Sequence, residues 1–311
     1  MPYTFDMPFI LQGRPMTIRV LLNGKKAGLE PVRNAIFAAR ENGNVEVRVT
    51  WETGDIERLV NDAVHEGCSR IVAAGGDGTV NECASALMQH PPASRPELAV
   101  MPLGTANDFA TACQIPVDLE HALTLAQAGK SVPVDCVKAN NRYFINVASG
   151  GFGAKVTAET PAPLKNFLGG GAYTLSGIVQ ALGFVPYSGT TRHPGQETED
   201  EVIIGAVCNG RQAGGGQVLG PQAMLNNGML DSIVLRHFPL EALAQVIAEL
   251  KDDTLNGVYV RRVRTPWIEW QSEEEMPINL DGEPISAKYI RFEAIPDAIR
   301  LVLPPNCPLI G

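Results

Sequence analysis

Arg70-Ile71-Val72-Ala73-Ala74-Gly75-Gly76-Asp77-Gly78-Thr79-Val80-Asn81-Glu82 decides how this chain is read. An apolar run of strand type ends in glycines. One carboxylate sits among them, and a helix start follows at once. The spacing of Thr79 and Glu82 predicts a capping box, each side chain serving the other's backbone N–H. Gly75, Gly76 and Gly78 are expected to give the turn positive φ and to let a ligand approach the backbone. The free N–H groups of a helix start suit an anion such as phosphate. Asp77 would repel a phosphate unless a divalent cation lies between them or a substrate hydroxyl donates to it. The loop is no Walker A loop, because no Gly-Lys-Ser/Thr follows. A plain strand–turn–helix corner would also need glycines. Asp77 together with the capping-box spacing favours a phosphate loop that expects a metal ion or a hydroxyl.

Outward from this corner the amino-terminal half alternates strand and helix. Thr17 to Asn23 is nearly all apolar and reads as a buried parallel strand. Pro31 opens a helix that Gly43 stops. Val45 to Thr50 is a second strand, Asp55 to Gly67 a helix with one apolar face, Thr79 to His90 the helix of the glycine loop, and Glu97 to Pro102 a fourth strand. Such alternation predicts an open, doubly wound parallel sheet, which binds ligands at the carboxyl ends of its strands. The fourth strand runs into Leu103-Gly104-Thr105-Ala106-Asn107-Asp108, where Thr105 and Asp108 again have capping-box spacing. Two corners would then face one crevice and share a polyphosphate, with Thr50 on the same edge in reach of a ribose or phosphate.

The texture changes near Ser131. Val132 to Lys138, Arg142 to Ala148, Glu201 to Asn209, Leu230 to Phe238 and Val258 to Trp270 read as strands between glycine-rich turns, with a helix at Leu240 to Leu250. This predicts a second, mainly antiparallel domain, a sandwich or barrel. The expected domains are 1–132, completed by 288–311, and 133–287. A net charge of −9 argues against a nucleic-acid backbone as partner. The six scattered cysteines read as reduced thiols in a cytosolic protein. Met1 to Gln12 lacks the pattern of a signal peptide. Asn166 to Thr191 carries no charge but is broken by glycines and Pro186, so it reads as a buried helix rather than a span. In Asn279-Leu280-Asp281-Gly282-Glu283-Pro284 two carboxylates flank a glycine. Close carboxylates raise one another's pKa and can act as a base, but by its residues alone this is a plain Asp-Gly hairpin.

The two corners resemble those of the diacylglycerol-kinase catalytic family. Asn209-Gly210-Arg211-Gln212-Ala213-Gly214-Gly215-Gly216-Gln217 and Asn279 to Pro284 narrow the resemblance to YegS-type bacterial lipid kinases, over residues 17 to 308. It implies a Rossmann-like domain of NAD-kinase and diacylglycerol-kinase type followed by a β-sandwich. It implies ATP, Mg²⁺ and a lipid hydroxyl, with phosphatidylglycerol or diacylglycerol as substrate and transient membrane association. Nucleotide contacts are implied at Thr50, at Gly76, Asp77, Gly78, Thr79, Val80, Asn81 and Glu82, and at Thr105. Glu283 is the implied proton acceptor, with Asp281 as the neighbour to test, and Asp77 is expected in the shell of the Mg²⁺. The family's structural metal loop maps onto Met224 to Met229, with Met224, Asn227 and Met229 as ligands for Mg²⁺ or, alternatively, Ca²⁺. Asn227 stands where the family has an acid, so weak binding or none is expected there. The uncharged stretch after Asn166 is the expected acyl-chain contact. Two rival functions stand beside the lipid kinase: a soluble-substrate kinase such as an NAD kinase, and a catalytically silent nucleotide- or lipid-binding regulator.

Overall fold

The computed structural model of the chain describes residues 17–151, 185–252 and 256–311. The proposed acyl-chain stretch lies outside the described residues up to position 184. Among the described residues no helix is long and apolar enough to cross a membrane.

The first half forms β1 (Thr17–Leu22), α1 (Glu30–Glu41), β2 (Asn44–Val49), α2 (Asp55–His65), β3 (Arg70–Gly75), α3 (Asp77–Met88), β4 (Glu97–Pro102), α4 (Asp108–Ala112) and α5 (Leu119–Ala128). The strands lie parallel in the order β2-β1-β3-β4. Their apolar residues alternate between two cores. Val20, Leu22, Val72, Ala74 and Met101 pack under α1 and α5. Leu21, Ile71, Ala73, Leu98 and Val100 pack under α2 and α3. Burial on both faces is why these strands read as continuous apolar runs.

The second half forms β5 (Ser131–Ala139), β6 (Arg142–Phe144), β7 (Val147–Gly151), β8 (Tyr187–His193), β9 (Gln196–Cys208), β10 (Gln212–Ala213), β11 (Gln217–Val218), β12 (Leu230–Arg236), α6 (Leu243–Lys251), β13 (Val260–Thr265), β14 (Trp267–Leu280) and β15 (Glu283–Val302). The pairing is antiparallel. β9 and β14 each pair with β7 at one end and β8 at the other, so the strands fold over a core of Phe144, Trp270, Ile278 and Phe292. Two expected strands are divided. Arg142 to Ala148 breaks at Ile145 and Asn146, whose N–H groups leave the ladder for the Asp281 carboxylate. Val258 to Trp270 breaks at Pro266, which has no N–H to give.

β15 ties the halves together. It starts at Glu283 in a hairpin with β14 and ends beside β4, where Leu301 pairs in parallel with Leu98. One strand thus runs from the Asp-Gly turn to the edge of the parallel sheet.

Candidate active site

A cavity of about 850 Å³ opens at the carboxyl ends of the parallel strands. Asn23 and Thr50 reach it from the ends of β1 and β2, Thr79 and Glu82 from α3, and Glu283 from the far hairpin. It lies where the strand order reverses, the expected place for a ligand in such a sheet. Thr50 Oγ1 accepts the Gly24 N–H at 3.2 Å, which joins the corners after β1 and β2. The carboxylate of Asp55 takes the N–H groups of Trp51 at 2.6 Å and Glu52 at 3.0 Å and so fixes the loop on the cavity's rim.

The glycine corner differs from its expected form in three ways. First, α3 begins at Asp77 with Gly76 as its cap residue and no side-chain cap, so Thr79 and Glu82 lie inside the helix and form no capping box. Second, Gly75, Gly76 and Gly78 are absent from the residues with positive φ. Two of them serve close packing instead. A Cβ on Gly75 would stand 2.2 Å from Thr79 Oγ1, and one on Gly76 would stand 3.1 Å from the Gly104 Cα. The corners after β3 and β4 therefore cross backbone to backbone, joined also by the Leu103 N–H to the Gly75 carbonyl at 2.8 Å. Third, the Asp77 carboxylate turns away to cap α4, accepting the N–H groups of Asp108 at 3.1 Å and Phe109 at 2.9 Å. It is not among the residues that line the cavity.

The second capping box is absent too. α4 starts at Asp108 behind Asn107, whose φ is +51° and whose Oδ1 accepts the Gly104 N–H at 2.8 Å. Asp108 reaches across to the second half, accepting the N–H groups of Gly215 at 2.8 Å and Gly216 at 2.6 Å. Burial pushes its carboxyl up, and the nearby Asp77 charge adds to the effect. Thr105 is exposed on this corner and does not line the cavity. Val80 is buried in the apolar core and Asn81 is 1% exposed, so neither offers its side chain to a ligand.

The Asp-Gly turn is both the hairpin and part of the site. Asp281 (φ 48°) and Gly282 (φ 101°) form a two-residue loop of the kind that needs positive φ at both positions. The Asp281 side chain folds inward and accepts three successive backbone N–H groups, from Ile145 at 2.9 Å, Asn146 at 2.8 Å and Val147 at 2.6 Å. Burial outweighs these bonds and lifts the carboxyl to about 7, with the Asp77 charge adding to it. Its partner in charge is thus Asp77 across the halves, not the neighbouring Glu283. Glu283 points outward into the cavity, with Arg142 Nη1 at 3.4 Å. Opposite it, the Glu82 carboxyl is raised by burial and then by the charge of Glu283. Two carboxylates from different halves therefore share the mouth of one cleft.

Two side chains of the Met224–Met229 loop have partners within the chain. Asn227 Oδ1 is taken by the Met229 N–H at 3.0 Å, and the Met224 sulfur meets Arg211. Buried Asp135 closes the loop from behind, accepting the Gly228 N–H at 2.6 Å. Among the described residues no group of three acidic, histidine or cysteine side chains stands ready for a metal.

Asp108, Asp135 and Arg142 hold these parts in place and were not singled out for such roles in the sequence. Only Asp108 carried a signal there, as half of the capping box that does not form.

Residues 17–139 match the diacylglycerol kinase catalytic domain, and residues 146–303 match the YegS C-terminal NAD kinase beta sandwich-like domain. "Probable lipid kinase YegS-like" of Shewanella frigidimarina is 47% identical over 95% of this chain and 97% of its own length. The protein of the same name from Yersinia enterocolitica is 45% identical over 94% of this chain and 98% of its own. A crystal structure of a diacylglycerol kinase from Bacillus anthracis str. Sterne shares the fold with a TM-score of 0.74 at 22% identity, covering 95% of this chain and all of that one. Another solved Bacillus anthracis chain overlays at a TM-score of 0.81 and 25% identity, over 95% of this chain and 99% of that one. With both domain models matched in order and relatives aligned over 94–95% of its length, the chain belongs to the YegS-like family, which carries the diacylglycerol kinase catalytic domain.

Proposed function

We propose that this protein transfers the γ-phosphoryl group of ATP to the hydroxyl of a membrane lipid, phosphatidylglycerol or diacylglycerol, in the cleft between its halves, with Glu283 taking the hydroxyl proton. The observation that carries the proposal is Glu283 facing Thr50, Thr79 and Glu82 across one cavity. Phosphoryl transfer needs positioning and charge neutralisation more than covalent chemistry. The start of α3 and the crossed glycine corners supply backbone donors for the phosphates. Thr50 supports the sugar or a phosphate. Glu283 is close enough to the cavity to accept a proton as the lipid oxygen attacks. Arg142 beside it, at 3.4 Å, orients the carboxylate. Asp281 acts through its neighbours: by binding three N–H groups of the β6–β7 break it fixes the hairpin that presents Glu283.

The cavity carries Glu52, Glu57, Glu82 and Glu283 against Lys25. Bare triphosphate would be repelled there, so a divalent cation accompanying ATP fits this lining, and Glu82 would hold it. When bound, such an ion neutralises charge on the transferring group. The protein meets the bilayer transiently, as a cytoplasmic visitor to the membrane surface.

The test is incubation with γ-labelled ATP and vesicles of phosphatidylglycerol or diacylglycerol, followed by identification of the labelled product. Label in a lipid product, lost in Glu283→Gln, is the expected result. With NAD included in the same incubation, label on NAD with none on lipid would overturn the lipid assignment.

A further inference from the structure

Trp51 is 93% exposed, in a part of the chain whose backbone is fixed. It follows β2, between Thr50 and Glu52, and all three residues line the cavity. The backbone is pinned on either side. The Thr50 N–H donates to the Leu22 carbonyl at 3.0 Å, and Thr50 Oγ1 accepts the Gly24 N–H at 3.2 Å. One oxygen of the Asp55 carboxylate accepts the N–H groups of Trp51 at 2.6 Å and of Glu52 at 3.0 Å. Arg58 Nη2 donates to the other oxygen at 2.6 Å. A rigid loop therefore presents an indole that the rest of the chain leaves uncovered. Single exposed apolar residues are ordinary on a protein surface. Among the described residues, however, Trp51 is the one large exposed apolar side chain that lines the cavity.

The sheet order says what part of a ligand such an indole would meet. β2 lies two strands from β3, in the order β2-β1-β3, which is about 10 Å at ordinary strand spacing. A nucleotide with its phosphates at the start of α3 and its sugar at Thr50 would carry its base past β1, toward Trp51. The charges agree with a base there. Glu52 adjoins the indole and Glu57 lines the same cavity. These carboxylates would repel a lipid phosphate but not an uncharged ring. We propose, on the kinase reading above, that Trp51 is the stacking platform for the purine base of the nucleotide. The flat indole covers one face of the base, in the offset arrangement that aromatic faces prefer. Tryptophan has only two side-chain torsions to freeze, and its backbone here is already held. The platform thus loses little freedom when the base arrives. Stacking acts on the ring and not on the phosphates, so Trp51 governs affinity for a nucleotide over a bare polyphosphate.

The experiment measures binding of ATP and of inorganic tripolyphosphate to the full-length protein by calorimetry, both with Mg²⁺. Acrylamide quenching of tryptophan emission is recorded alongside. The chain has three tryptophans. Trp270 is buried and Trp267 lies under the Arg291 guanidinium, so the quenchable emission belongs mainly to Trp51, and subtraction of the Trp51→Phe spectrum isolates it. The expected result is that ATP shields this emission and tripolyphosphate does not. Trp51→Ala should weaken ATP binding by roughly 5–100-fold, as removal of a stacking ring does elsewhere, with tripolyphosphate binding unchanged. Trp51→Phe should recover most of the ATP affinity. An alanine variant that binds ATP as tightly as wild type, or loses tripolyphosphate to the same extent, would overturn the proposal. So would emission that phosphatidylglycerol vesicles shield and ATP does not, which would make the indole a membrane contact. ATP that binds without shielding Trp51 overturns this inference alone. A wild-type protein that binds no ATP overturns the kinase reading with it.

Discussion

Asp77 Oδ1 accepts the Phe109 N–H at 2.9 Å, so the carboxylate in the first glycine corner is the cap of the helix that follows the second. A cap and a metal ligand respond differently to amide substitution. Asp77→Ala leaves two helix donors without a partner and should cost about 1–2 kcal/mol in urea unfolding, with lipid phosphorylation lost. Asp77→Asn keeps one acceptor and should recover most of that stability and a measurable part of the activity. An asparagine variant as stable as wild type yet wholly inactive would return Asp77 to direct work on the phosphates.

The Glu283 side chain is half-exposed with Arg142 as its ion-pair partner, and glutamine keeps its size, so the substitution tests chemistry with little effect on the fold. Glu283→Gln should reduce kcat by roughly 10²–10⁴-fold, while KM for ATP stays within a small factor of wild type. Unchanged melting by circular dichroism would accompany the loss. A variant that keeps kcat but loses affinity for ATP would assign Glu283 to nucleotide binding instead.

Asp281 makes a pH-dependent contribution to stability whose sign is fixed by its raised pKa. The unfolded chain releases this proton near pH 3.8 and the folded chain near 7. The contribution is therefore full below the unfolded value and is lost as pH rises through the folded one. Comparing urea unfolding of wild type and Asp281→Asn from pH 4.5 to 7.5, the advantage of the wild-type protein should shrink with rising pH. The change is bounded by about 4 kcal/mol for a shift of this size. A difference that is flat across the range would mean that the buried acid stays ionised throughout.

Gly104 leaves no room for a side chain, because a Cβ would stand 2.6 Å from the Gly76 Cα. Gly104→Ala should separate the two corners and cost about 1–3 kcal/mol. Isothermal titration should then show ATP affinity falling further than the stability loss explains. Gly78→Ala meets nothing within 4 Å and serves as the control that keeps stability.

The Met224–Met229 loop is held by Asp135, which accepts the Gly228 N–H, and by its own Asn227, which accepts the Met229 N–H. Stripping divalent ions with a chelator should leave the melting temperature unchanged. Asp135→Ala should lower it, because the Gly228 N–H then loses its buried partner at a cost of about 1–3 kcal/mol. A chelator-induced drop in melting temperature would instead reveal a metal in the loop.

What was legible in the sequence was local. Apolar runs and glycine corners marked β1 to β4 and their helices, since burial on both faces and the absence of a Cβ are properties of short stretches. The motif at Asn279 to Pro284 marked a hairpin for the same reason, as Asp-Gly satisfies positive φ at both loop positions. Tertiary structure decided where the carboxylates point. Thr79 and Glu82, and Thr105 and Asp108, have the spacing of capping boxes. That spacing is filled only if the helix starts at the threonine, and here each helix starts elsewhere. Asp77, Asp108 and Asp281 instead find backbone N–H groups far along the chain, at Phe109, at Gly215 and Gly216, and at Ile145 to Val147. A buried carboxylate goes to whichever unpaired N–H groups the packed chain leaves within reach, and for Asp108 those lie in the other half of the chain.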